Sequence, residues 1–224
     1  MNLANHIITY HSTAIEGSLL SADETRLLLD ADIVPEGKPI CHVMMVKDHN
    51  SALKYILETA SLKKPITVEL IRFINALVMK NTGGICNTPL GQVDVSNGEF
   101  RKGNVSAGGS YFPGYDKVER LLKELVLSLQ ATMQMISPTD TEKQLNLSFT
   151  AHYNLVSIHP FYDGNGRTSR LLMNYIQAYY GLPLGIVFME DREEYFSALR
   201  ESVKKDDIQP VRLFLYKEYE KLSH

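Results

Sequence analysis

The sequence predicts a mainly α fold, a helical bundle that carries one small β-hairpin. Three observations predict it. Apolar side chains recur at intervals of three and four residues along most of the chain, the period that gives a helix one buried face. Helix start and stop signals punctuate those stretches. Eight of the 14 glycines crowd between Gly83 and Gly114, where the apolar spacing turns from helical to alternating.

Taken in order, Ser21 with Glu24 three residues on reads as a capping box that opens a helix through about Ile33. Ala52, Leu53, Ile56, Leu57 and Ala60 form the next apolar stripe. Leu70, Ile71, Ile74, Leu77 and Val78 form another, with Pro65 suited to its first turn and Gly83-Gly84 to its end. Val93, Val95 and Phe100 around Asn97-Gly98 give a hairpin signal. That hairpin is either a plain surface connection or a mobile flap over a site, and spacing alone does not choose. Asp116 with Glu119 is expected to open a long helix that buries Val118, Leu122, Leu125 and Leu129 and stops at Ser137-Pro138. Thr141 to Ile158 has two apolar stripes, Leu145, Phe149, Tyr153 and Val156 on one side and Leu147, Ala151, Leu155 and Ile158 on the other, which predicts a central position. A further helix with Leu171, Leu172, Tyr175, Ile176 and Tyr179 ends at Gly181-Leu182-Pro183.

Composition narrows the function classes. With 44% apolar and 22% charged residues the 224-residue chain can bury a real core, which excludes disorder and low-complexity readings. Lys and Arg number 23 against 26 Asp and Glu, so neither nucleic acid nor an anionic membrane is an expected partner, and any phosphate recognition must be local. Two cysteines, Cys41 and Cys86, allow neither a disulfide framework nor a zinc site of four thiolates. The first twenty residues lack a basic stretch followed by an unbroken apolar one, and no apolar run approaches ~18 residues, so a cytoplasmic protein is expected.

The chemistry concentrates between Ile158 and Arg170, in I-H-P-F-Y-D-G-N-G-R-T-S-R. Gly164, Asn165 and Gly166 allow successive N–H groups to turn toward one point at a helix N-terminus, where the macrodipole also favours an anion. Arg167 and Arg170 lie on neighbouring parts of the first helical turns and can both reach that anion, which suggests more than one phosphate. Asp163 offers the single carboxylate that a phosphate-bound Mg²⁺ asks of a protein. His159 is the one group of the segment able to take a proton near neutral pH. No competing nucleotide or metal motif, such as G-x-x-x-x-G-K-S/T or H-E-x-x-H, occurs.

His159 to Arg170 resembles the full His-x-Phe-x-Asp/Glu-Gly-Asn-Gly-Arg-x-x-Arg signature of Fic-domain proteins. The resemblance extends over roughly Pro65 to Phe214 and implies a Fic-type helical bundle whose hairpin is a flap. It divides the chain into an N-terminal helical region, 1–64, and a core, 65–224. It also implies a protein adenylyltransferase that moves AMP from ATP, with Mg²⁺, to a hydroxyl of a protein target, self-modification included. Laid on matching positions, His159 would be the general base and Asp163 the Mg²⁺ ligand. Gly164, Asn165, Gly166, Arg167 and Arg170 would hold the phosphates. Tyr195, in R-E-E-Y-F-S-A-L, resembles a segment lining the adenine pocket, although a plain amphipathic helix explains that stretch too. The flap, with Glu99, Phe100, Arg101, Tyr111 and Phe112, would pair with an extended stretch of the target by strand addition. Phe112-Pro113-Gly114 stands where many relatives carry consecutive prolines.

Ser12-Thr13-Ala14-Ile15-Glu16-Gly17 resembles the inhibitory-helix pattern Ser/Thr-x-x-x-Glu-Gly/Asn of the same family. Its place ahead of the core is similar to the intramolecularly inhibited subclass, in which Ser12, Glu16 and Gly17 would form a brake. Glu16 is expected to form a bidentate pair with Arg170 and so to occupy the guanidinium that a γ-phosphate would use. Removal of AMP from a modified protein, phosphoryl transfer, and ATP sensing without turnover are the alternatives.

Overall fold

The computed structural model describes residues 3–107 and 109–223, and among these residues the chain is a helical bundle with two short hairpins. The helices are α1 (Leu3–Ile15), α2 (Ala22–Ala31), α3 (Ile40–Ser61), α4 (Val68–Met79), α5 (Val118–Met135), α6 (Thr141–Ile158), α7 (Asn165–Tyr180), α8 (Arg192–Lys205) and α9 (Gln209–Glu220). The strands are β1 (Ile85–Thr88) antiparallel to β2 (Gly91–Asp94), and β3 (Ser106–Ala107) antiparallel to β4 (Ser110–Tyr111).

The two stripes of α6 explain the packing. Leu147, Ala151, Leu155 and Ile158 enter the main core with α3, α4, α5 and α7. Leu145 and Phe149 enter a second cluster with Tyr195 of α8 and Phe214 of α9. α7 joins both, Leu171, Leu172, Tyr175 and Ile176 on the first and Met173 on the second. Each such fully buried side chain stabilises the fold by about 1.5–3 kcal/mol. The main core takes Ile8, Ala52, Leu53 and Ile56 from the first 64 residues as well as the later helices. So α6 and α7, whose ends meet at the motif, rest on rigid packing from both sides.

Local chemistry corrects several expected boundaries. The capping box at Ser21 and Glu24 forms, but α2 stops at Ala31, where Asp32 adopts a left-handed conformation. Pro65 lies outside α4, whose start is set by Thr67 accepting a hydrogen bond from Leu70 N–H. α4 ends at Met79, ahead of Gly83-Gly84, and Asp48 takes up the Asn81 N–H at 2.8 Å. Asp116 belongs to a 3₁₀ turn, Tyr115–Lys117, and does not cap α5. Asn97-Gly98 is not a hairpin turn. The Asp94 carboxylate instead accepts from Ser96 N–H and closes a 3₁₀ turn over Val95–Asn97. Gly98 ends that turn at φ 60°, pressed on the Arg72 carbonyl where a Cβ would overlap it. The antiparallel pairings fall elsewhere, between β1 and β2 and between β3 and β4. No helix among the described residues is long and apolar enough to cross a membrane.

Candidate active site

The site is a loop between the two central helices. α6 ends at His159, whose left-handed backbone (φ 51°) turns the chain while its N–H still bonds Leu155 O at 3.0 Å. The Asn165 side chain closes the loop from the other end, accepting from Phe161 N–H at 3.0 Å and donating to Phe161 O at 2.8 Å. Phe161 itself is buried in the main core. Asn75 of α4 donates to Asp163 O at 3.0 Å and to Thr168 Oγ1 at 3.2 Å. Gly164 has φ 77°, and a Cβ there would stand 2.7 Å from Asn75 Nδ2. The corner tolerates no side chain.

Beyond that corner α7 begins, with N–H groups free of helical partners. The Asp163 carboxylate accepts from Gly164 N–H at 2.5 Å and pairs with Arg167 Nη2 at 3.3 Å, yet its side chain is 64% exposed. Among the described residues no three His, Cys, Asp or Glu side chains cluster as a metal site. A lone exposed carboxylate at a helix N-terminus fits Mg²⁺, which takes most of its ligands from phosphates and water. Arg167 and Arg170 are both buried, and Arg167 Nε and Nη1 and Arg170 Nη1 have no hydrogen-bond partner among the described residues. Such groups are costly unless an acceptor reaches them.

Glu16 pairs with Arg170 but leaves Nη1 of that guanidinium without a partner among the described residues. At the end of α1 its Oε1 lies 2.7 Å from Arg170 Nη2, and a Cβ on Gly166 would collide with the same oxygen. The carboxylate therefore lies over the first turn of α7. Burial raises its pKa, but the Arg170 charge and hydrogen bond, followed by Arg167 and Arg192, leave it below the usual glutamate range. The pair is not the bidentate one expected, because Ser12 takes the other edge: Arg170 Nε donates to Ser12 Oγ at 3.0 Å and Nη2 also to Ser12 O at 2.9 Å. Gly17 follows at φ 96° with open space around it.

His159 is half-buried beside this anion seat. Burial pushes its pKa down to about 4, with the Val156 carbonyl opposing and the Arg101 charge assisting. The imidazole is neutral at pH 7. Nδ1 lies 3.3 Å from Val156 O, and because a carbonyl only accepts, Nδ1 carries the hydrogen and Nε2 keeps the lone pair.

Both polar atoms of the Asn165 side chain are tied to Phe161, so the group it can offer a phosphate is its backbone N–H. Four other expected roles need correction. Tyr195 presents no face to an adenine: it is 1% exposed, packed in the second cluster with its hydroxyl 3.0 Å from His152 Nε2. Arg101 is not a target-binding residue. It is 2% exposed, and its guanidinium donates to the carbonyls of His159, Gly103 and Pro113 at 2.7, 2.9 and 2.5 Å. Phe100 likewise packs inward on Phe161 and under Arg72, and Glu99 accepts from Asp94 N–H. Tyr111 and Phe112 are the flap residues that reach the site, Tyr111 88% exposed and Phe112 stacked on His159.

Residues beyond the motif complete the site. A largely apolar cavity of about 370 Å³ adjoins His159, walled by Tyr153 and Val156 of α6, Phe196, Leu199 and Val203 of α8, and the flap. Phe196 was legible only as Tyr195's neighbour. Asn75 carried a clearer signal, a polar residue on the apolar stripe of Ile71, Ile74 and Val78.

A family model described as Fic/DOC family matches residues 65–177. Protein adenylyltransferase Fic of Drosophila melanogaster is 33% identical over 207 residues, which cover 92% of this chain and 39% of that protein. The chain thus spans about two fifths of the curated relatives it matches. Among solved structures, Fic-1 (aa134–508) from C. elegans aligns with a TM-score of 0.81 at 30% identity, over 97% of this chain and 61% of that one. A Fic domain containing signaling protein from Bacteroides thetaiotaomicron aligns with a TM-score of 0.80 at 25% identity, over 96% and 82%. Motif, fold and family model agree over the same helices, and the chain belongs to the Fic/DOC family.

Proposed function

We propose that the chain transfers AMP from ATP to a hydroxyl side chain of a protein, with α1 as its built-in restraint. One observation carries the reading: two buried guanidiniums hold unpaired N–H groups at the start of α7, beside a neutral imidazole. A triphosphate supplies the missing acceptors. The relatives named protein adenylyltransferase support the same activity.

In this reading His159 Nε2 takes the proton of a Ser, Thr or Tyr hydroxyl. The hydroxyl oxygen bonds the α-phosphorus, the bond from that phosphorus to the bridging oxygen breaks, and pyrophosphate leaves in line. Backbone N–H groups at residues 164–166 cradle the phosphates, and Arg167 and Arg170 take the β- and γ-charge. Asp163 would hold Mg²⁺, which when bound neutralises charge on the phosphates. The cavity beside Phe196 and Phe112 takes the adenine, replacing the Tyr195 assignment. The target runs along the flap as an extended segment, past Tyr111. Unpaired Cys41 and Cys86 support a reducing, cytoplasmic setting.

Glu16 restrains the reaction by filling the anion seat over Gly166 and Arg170 before the γ-phosphate does. The test compares α- and γ-labelled ATP on the wild-type chain and Glu16→Gly. Protein-bound α-label that rises in the variant is expected. Protein-bound γ-label replaces the reading with phosphorylation, and no protein label in either chain replaces it with nucleotide sensing or removal of AMP. A second reading rests on the single-oxygen pairing of Glu16 with Arg170: the other oxygen is available to orient a water that removes AMP. Release of AMP from an adenylylated protein by the wild type but not by Glu16→Gly favours it.

A further inference from the structure

Phe112 lies flat on the His159 imidazole, ring centroids 3.8 Å apart and planes 15° from parallel. One side chain fastens both partners: Arg101 donates through Nε to the His159 carbonyl and through Nη2 to the Pro113 carbonyl, next to Phe112. Arg101 is 2% exposed, so this clasp is shielded from water. The stack is therefore a built contact rather than a chance meeting of a loop with a ring. An imidazole is aimed by two constraints, the plane of its ring and a direction within that plane. The Nδ1–H bond to Val156 O supplies the direction. The plane has its constraint in the ring of Phe112.

We propose that Phe112 is a positioning residue for His159: its ring fixes the imidazole plane, so that the Nε2 lone pair is aimed at the incoming hydroxyl only while the flap is seated. The proposal deepens the adenylyl-transfer reading and rests on it for the identity of the hydroxyl. It makes flap seating and base alignment one arrangement, since the clasp that anchors the flap also holds the ring that aims the base. The same ring covers one face of the imidazole and contributes to the burial that keeps it neutral. The other charged groups around His159 are Arg101 from the flap, Glu16 from the end of α1 and Asp163 from the loop, with Arg200 of α8 and Asp206 just beyond its end lining the adjoining cavity.

The test follows His159 itself by NMR titration of labelled histidine, in the full chain, which needs no activity. Phe112→Ala is expected to raise the His159 pKa by one unit or more from about 4 toward the ordinary imidazole value of about 6.5. Phe112→Leu, which keeps apolar cover and packing volume, shifts it less in the same direction. Phe112→Tyr restores the wild-type titration. In a Glu16→Gly background, Phe112→Ala lowers kcat for protein labelling by about tenfold, which corresponds to about 1.4 kcal/mol, and moves the acid limb of the pH profile upward with the pKa. An unchanged His159 titration in both the Ala and Leu variants overturns the proposal. So does a rise in KM for ATP with kcat and pH limb unchanged, which would make Phe112 a wall of the cavity and nothing more. Absence of labelling by Glu16→Gly itself refutes the transfer reading and leaves the titration to decide the stack.

Discussion

α1 and the flap both fasten onto the loop that carries the motif, and they are held by opposite kinds of chemistry. α1 is tied through groups that the proposed reaction needs for its nucleotide. Glu16 and Ser12 use Arg170, while Arg192, whose Nε caps the end of α1 at Ile15 O, stacks on Phe196 in the cavity wall. The flap is tied through Arg101 to backbone carbonyls that no substrate uses. A tie made of substrate-binding groups competes with substrate and can be released by it. A tie made of backbone groups is permanent. In the proposed function the molecule thus has a removable latch on one element and a fixed anchor on the other.

The largest effect tests what both elements converge on. His159→Ala in a Glu16→Gly background is expected to cut protein labelling by about 10²–10⁴, the usual contribution of a general base, while calorimetry still detects ATP binding. Next is the anchor. Arg101→Leu leaves buried carbonyls without donors and is expected to cost about 2–4 kcal/mol of stability, read as a lower denaturation midpoint. It gains no activity in exchange. An Arg101→Leu chain as stable as wild type would show the anchor to be dispensable.

The latch gives smaller, opposite effects. Glu16→Gly removes one charged hydrogen-bonded pair, about 1.5–3 kcal/mol of restraint, so labelling is expected to rise about 10–100-fold, while the buried Arg170 left without its carboxylate lowers stability. Arg192→Ala removes one hydrogen bond from the far side of the same element, about 1 kcal/mol, and labelling in the wild-type background is expected to rise about fivefold. If Arg192→Ala gives no rise, the Arg192 bond to Ile15 O takes no part in the restraint.

The sequence disclosed this contrast unevenly. The motif was legible because its parts are contiguous, and the two stripes of α6 were legible because both obey one period. Arg101 was not, since its partners are carbonyls of Gly103, Pro113 and His159, and a carbonyl has no letter in a sequence. Tyr195 and Phe196 are adjacent aromatics about 100° apart around α8, and periodicity does not say which faces the core. The structure buries the first and gives the second to the cavity. Asn97-Gly98 is a strong hairpin signal that lost to the Asp94 side chain, which captured Ser96 N–H first. Glu16 and Arg170 stand 154 positions apart, so only the family resemblance joined them ahead of the structure.

The smallest effect is an expected flatness. An ordinary imidazole with a pKa near 6.5 would lose about three quarters of its neutral form between pH 8 and pH 6. His159, held at about 4 mainly by burial, stays almost wholly neutral over that range, so labelling by Glu16→Gly is expected to change less than twofold. The sign also fixes stability. Because the folded pKa lies below the unfolded one, the neutral form's contribution is complete above about pH 6.5 and is lost as pH falls toward 4, where only the unfolded chain readily takes the proton. His49 and His152, buried with pKa values near 3, add in the same direction. Activity should therefore hold steady across a window in which stability has already begun to decline. A labelling rate that instead falls severalfold from pH 8 to pH 6, with the fold intact by circular dichroism, would mean that His159 is open to water and that the flap is not anchored over it.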